Sequence, residues 1–243
     1  MSIIFLIYII MNIITIDPSL ISTSIVVNGE IFNFTEEKRV YGKKEMRKWY
    51  KIAESYIKYV YIKYDIDYSN YYTSELSKLK NYNRVTDIII TTILSKIDVN
   101  EPTKIAIESY SYSSENGDII DLVTFSTLLR IKLYQNISED LIIIPPKSLK
   151  LLSAKMTYKP DISGVRVMKY TYRNNEGIAG GSFKKIDIYR ALIDNKQLKN
   201  DNYIKFLKSI KSDVFSLTNI PKPLDDSNDA VCLYWIIKNN INL

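Results

Sequence analysis

Apolar residues along this chain fall into two alternating patterns: short β-branched runs and longer stripes of helical period. The run Ile13-Ile14-Thr15-Ile16 closed by Asp17 predicts a buried strand over 12–17, and Pro18-Ser19 breaks it. A second strand is predicted over 22–28. Asn28-Gly29 is the dipeptide that tight hairpins favour, so 30–35 returns as a third strand. Over 43–64, Trp49, Ile52, Ala53, Tyr56, Ile57 and Val60 form one stripe with Lys and Glu opposite, which predicts a helix. The polar, tyrosine-rich stretch 65–83 reads as a loop. A further helix is predicted over 85–97 from Ile88, Ile89, Ile93 and Ile97.

The second half repeats a strand–helix rhythm. Strand 104–108 ends at Glu108, loop 109–117 follows, and helix 118–133 turns Leu122, Phe125 and Leu129 inward. Strand 141–144 stops at Pro145-Pro146, and a helical turn begins over 147–154. A small inserted hairpin is predicted around 157–177, then helices over 183–194, 203–211 and 226–239. Three antiparallel strands followed by strand–helix alternation predict an α/β fold: a mixed five-stranded sheet flanked by helices, in one domain over 11–243. Residues 1–10 are almost wholly apolar, yet they carry neither the basic flank nor the small-residue cleavage site of a signal peptide. The apolar run to Ile16 is too short to span a bilayer. The expectation is an apolar extension before a natural start at Met11.

Composition changes this picture mainly by exclusion. The chain has no histidine and one cysteine, Cys232. Triads with a histidine base, His-ligated zinc, Cys-rich zinc and internal disulfides are therefore excluded. The lone cysteine fits a reducing, cytoplasmic compartment (a host cytoplasm for a phage or viral protein), with no membrane partner. Its place in an apolar helix makes it a core residue. A net charge of +6 suits a polyanionic partner.

The candidate chemistry lies in four acids. Asp17 and Glu108 end buried strands, and Asp226 and Asp229 open the last apolar helix three residues apart. Each alone has an ordinary reading: an Asx turn for Asp17, an exposed strand end for Glu108, a helix cap for Asp225 or Asp226. Together they form a charge-burial problem, because converging carboxylates must be neutralised. With no histidine or paired cysteine, the neutralising ions must be hard cations held by oxygen. Two Mg²⁺ (Mn²⁺ substituting) about 4 Å apart would serve, and they suit phosphodiester hydrolysis. The ligand register at Asp225-Asp226 stays open; Asp226 is preferred because it shares a helix face with Asp229.

Three motifs in order carry a resemblance. Ile16-Asp17-Pro18-Ser19 after the first strand, Ala106-Ile107-Glu108 after the fourth, and Asp226-Ser227-Asn228-Asp229-Ala230 opening the C-terminal helix resemble RuvC-type Holliday-junction resolvases of the RNase H-like superfamily. The segment Glu108–Ser114 is most similar to phage-encoded members. The resemblance spans the chain from about Met11 to its end and implies an RNase H-like sheet. It implies a crossover-junction endodeoxyribonuclease that acts on branched double-stranded DNA as a homodimer and leaves 5′-phosphates. It makes Asp17, Glu108, Asp226 and Asp229 the metal ligands. It also places a basic residue near the scissile phosphate at the start of the preceding helix, where Gly180-Gly181-Ser182-Phe183-Lys184-Lys185 stands: Lys185 first, Lys184 as the alternate. The glycines would let backbone approach a phosphate, and the helix start would favour an anion. The segments 36–100 and 157–177 are longer than in bacterial members.

Tyr110 and Tyr112 are candidates for stacking on an unpaired base, and Lys147 and Lys150 for contacting a phosphate backbone. Other readings keep the fold and change the role: cleavage of flaps or RNA–DNA hybrids, or DNA binding without catalysis. A chain beginning at Met11 is expected to fold; circular dichroism and a cooperative thermal melt check this.

Overall fold

The computed structural model describes residues 11–40, 44–110, 118–161 and 171–241. The expected extension over 1–10, Tyr112 and the middle of the inserted hairpin lie outside these residues. The chain opens with strands β1 (Asn12–Asp17), β2 (Ser22–Val27) and β3 (Glu30–Glu36), an antiparallel meander. The turn between β2 and β3 has Asn28 and Gly29 at φ 52° and 92°, as the Asn-Gly pair predicts. Asn28 also ties the turn to β1: its side-chain oxygen accepts from the Ile13 amide at 2.9 Å, and its amide group donates to Asn12 at 3.0 Å.

Next come α1 (Glu37–Val40), α2 (Lys44–Ala53), strand β4 (Ile57–Ile62) and the long α3 (Tyr71–Leu94). Two expectations are corrected here. The predicted helix over 43–64 ends at Ala53, and Ile57–Ile62 pairs in parallel with β3. Ile57 and Val60 fit a helical stripe, but Ile-Lys-Tyr-Val-Tyr-Ile also suits a pleated, half-buried surface, and pairing covers the open edge of β3. The predicted loop over 65–83 holds the first half of α3. Asn70 caps that helix by accepting from the Thr73 amide at 2.9 Å. Lys78 bridges Glu75 and Asp121 at 2.9 and 3.0 Å. A mostly exposed half-helix has no apolar stripe to announce it.

The rest follows the predicted rhythm: β5 (Thr103–Glu108), α4 (Asp118–Asn136), β6 (Leu141–Ile144) and α5 (Pro146–Thr157). A two-residue ladder, β7 (Pro160–Asp161) with β8 (Thr171–Tyr172), marks the inserted hairpin. Helices α6 (Lys185–Asp194), α7 (Asn202–Ser209), α8 (Lys211–Phe215) and α9 (Leu224–Lys238) complete the chain. The main sheet has six strands among the described residues, one more than expected, in the order β4-β3-β2-β1-β5-β6. Its three antiparallel strands continue into parallel β5 and β6, the RNase H-like layout.

Each face of the sheet is buried. Ile14, Ile16, Ile25, Phe34, Ile105 and Ile107 pack with residues of α3 and α4. Ile13, Val26, Ile31 and Ala106 pack with α5, α6, α7 and α9 on the opposite face. Cys232 is buried in α9, as expected. No helix among the described residues is long and apolar enough to cross a membrane.

Polar contacts fix α9 on its face. The Thr15 hydroxyl in β1 donates to the Ala230 carbonyl at 2.7 Å, and the Ser24 and Ser227 hydroxyls meet at 3.1 Å. Thr15→Val is expected to keep the fold but lower its unfolding free energy by about 1 kcal/mol, the usual worth of one such bond, measured by urea denaturation.

Candidate metal centre

Strand alternation decides where the acids point. Ile14 and Ile16 face α3 and α4, so Thr15 and Asp17 face α9. Ile105 and Ile107 likewise leave Ala106 and Glu108 on the α9 side. β1 and β5 are parallel neighbours with Ile16 opposite Ile107, so Asp17 and Glu108 end adjacent strands side by side. α9 brings Asp229 onto the same spot. One carboxylate oxygen from each of Asp17, Glu108 and Asp229 lies within 4.8 Å of the other two.

The environment is hostile to bare negative charge. Glu108 and Asp229 are buried, and Asp17 is half-buried. Burial, with Glu108 beside it, holds the Asp17 carboxyl well above its ordinary value. Burial and the Asp229 charge push Glu108 up to about 8. Burial also raises Asp229, against the opposing pull of Lys185. Lys185 reaches in from the start of α6 to pair with Asp229, with Asp225 at 3.7 Å. Burial works against its ammonium, but Asp229, Asp17, Asp225 and Glu108 outweigh that and keep it charged.

One ammonium therefore faces three clustered carboxylates, and Asp229 Oδ1 is buried with no hydrogen-bond partner. The donor set is all oxygen, which selects a hard cation. The trio's oxygens, all within 4.8 Å of one another, could hold such an ion.

Asp226, the fourth predicted ligand, stands apart from this trio. Burial raises its carboxyl, Lys222 opposes that shift, and Ser22 stands beside it. It pairs with Lys222, which also holds Asp225 at 3.0 Å. Asp225 thus lies between two lysines rather than in the cluster. Lys222 was not among the sequence candidates, although its position four residues before Asp226 and three before Asp225 is the spacing of a helical ion pair.

A cleft of about 300 Å³ opens onto the trio, and Tyr110, Lys150 and Lys185 line it. The Tyr110 ring sits 5.3 Å from the Arg130 guanidinium. Lys147 is exposed, close enough to Gly181 that a Cβ there would lie 4.0 Å from its Cε. Lys184 is exposed and caps α6 through its backbone amide, which donates to Asp187 at 2.8 Å. Two contacts define this segment. Gly180 packs its backbone against α5, where a Cβ would come within 2.5 Å of Ala154, so its smallness serves helix packing. The start of α6 already holds an anion, the buried Asp187 carboxylate.

Neither a protein-family model nor a curated protein matches this chain.

The raised carboxyls set a pH dependence for the metal-free protein. In the unfolded chain Glu108 ionises near its ordinary 4.5, whereas folded it holds its proton to about 8. The native state then binds more protons between those values, so stability falls as pH rises from about 4.5 to 8 and levels off above. In EDTA, Glu108→Gln is expected to flatten that slope and raise the melting temperature at pH 8 by several degrees; thermal melts across pH check this.

Proposed function

We propose that this protein is a divalent-metal-dependent endonuclease that resolves four-way or otherwise branched DNA. The convergence of Asp17, Glu108 and Asp229 from β1, β5 and α9 within 4.8 Å carries the reading. The ordered motifs that resemble RuvC-type resolvases give it its substrate. The trio holds Mg²⁺ or Mn²⁺, and Asp226 adds a ligand for a second ion. Bound there, the ions supply charge stabilisation at phosphorus and activation of water.

The chain's own groups do the rest. Lys185 keeps an ammonium at the trio, where it offsets charge on a phosphate as readily as on Asp229. Asp17 and Glu108 both line the cleft through which the phosphate enters. Lys150 lines the approach and steers the DNA backbone, with Lys147 beyond it. Tyr110 offers a ring at the cleft for an unpaired base at the branch. Cleavage of the bond between phosphorus and O3′ leaves a 5′-phosphate and a 3′-hydroxyl. Two opposed strands of a junction need two such sites, which a homodimer supplies. The lone, buried Cys232 suits a reducing, cytoplasmic setting.

Asp17→Asn is expected to cut junction cleavage in Mg²⁺ by roughly 10³-fold or more while sparing junction binding. A gel assay on a four-way junction, a flap and an RNA–DNA hybrid reads both, and cleavage of the hybrid alone would reassign the substrate.

A further inference from the structure

Five carboxylates lie in or beside the centre: the trio with Asp225 and Asp226. Two ammonium groups serve them. Lys185 pairs with Asp229, and Lys222 pairs with Asp226 and Asp225. The partners of the second pair differ in freedom. Asp226 is 3% exposed and fixed in the first turn of α9, with Ser22 on one side. Its second oxygen, Oδ2, is buried with no hydrogen-bond partner. The Lys222 side chain is 40% exposed and sits just before the helix on four rotatable bonds. A cation approaching Asp226 thus meets an immovable carboxylate, already half-neutralised by an ammonium that can swing away.

We infer that Lys222 is an internal cation that competes with a divalent ion for Asp226. This rests on the metal-dependent reading of the centre. With Lys222 seated, Oδ1 of Asp226 is taken and only Oδ2 is left for a cation. An ion that binds at Asp226 must displace the ammonium towards solvent, and by linkage the seated ammonium weakens that ion by the same factor. Lys222 then sets the ion concentration at which the second position fills. Asp225, held by Lys222 at 3.0 Å and 3.7 Å from Lys185, keeps a carboxylate for the displaced side chain.

Titration of the full chain with Mn²⁺, with free ion followed by electron paramagnetic resonance, tests this on wild type, Lys222→Gln and Lys222→Arg. Lys222→Gln is expected to tighten the weaker site on the order of ten-fold, a typical coupling between competing sites. Lys222→Arg, which keeps the charge, should stay near wild type. Adding Asp226→Asn to Lys222→Gln should erase the gain. Unchanged or weaker binding in Lys222→Gln overturns the inference. It leaves the metal centre standing as long as wild type still binds Mn²⁺ and Asp17→Asn binds it less. Failure of wild type and variants alike to bind Mn²⁺ brings down both.

A second readout needs no variant. Acetylation of Lys222 in the wild-type chain, followed by mass spectrometry, should speed up several-fold when Mn²⁺ saturates the protein. A rate insensitive to Mn²⁺ overturns the inference.

Discussion

Two carboxylates at the ends of adjacent parallel strands, both turned to the same face of the sheet, constrain everything built around them. The side-chain period of two and the pairing of Ile16 with Ile107 put Asp17 beside Glu108. A slip of one residue in either strand would separate the acids, but it would also turn Ile14, Ile16, Ile105 and Ile107 off the face they share with α3 and α4. The apolar core and the acidic pair are thus set by one register. Packing on both faces of the sheet offsets the unfavourable charge, and Lys185 relieves part of it.

Much of this frame was legible in the chain because burial writes a simple pattern. The central strands β1, β2, β3 and β5 carry short β-branched or aromatic runs, α4 turns Phe125, Leu129 and Leu133 inward at helical spacing, and α9 is apolar and buried nearly all round. β4 and the first half of α3 were misread for related reasons. An edge strand with one paired side, Ile57–Ile62, carries a mixed pattern that a helix also satisfies. The exposed half of α3 is held by the Asn70 cap and by Lys78 rather than by an apolar face. Neither device leaves a period in the hydrophobic sequence.

The site divides the same way. Asp17 and Glu108 stand where strands end, and strand ends are readable. The carboxylates on α9 depend on how that helix lies across the sheet, which residue spacing does not state. Lys222, Ser22 and Gly180 owe their roles to tertiary neighbours: two acids on α9, the Asp226 carboxyl and the Ala154 methyl. Only Lys222 left a local trace, in its spacing to Asp225 and Asp226.

The course of α9 explains why the two acids chosen for a shared helix face part company. Thr15 of β1 is bonded to Ala230, and Ser24 of β2 to Ser227. Three residues thus carry the helix from one strand to the next, a rise of about 4.5 Å against a strand spacing of about 4.8 Å. Asp229 lies beside Ala230 and so meets β1 and β5. Asp226 lies beside Ser227 and so meets Ser22 of β2, while Asn228, turned the other way, accepts from the Tyr203 hydroxyl of α7 at 3.0 Å. Asp226 and Ser227 thus meet β2, Asn228 meets α7, and Asp229 meets β1 and β5. Asp226 therefore lies outside the trio formed by Asp17, Glu108 and Asp229. In the structure the Lys222 ammonium stands against Asp226.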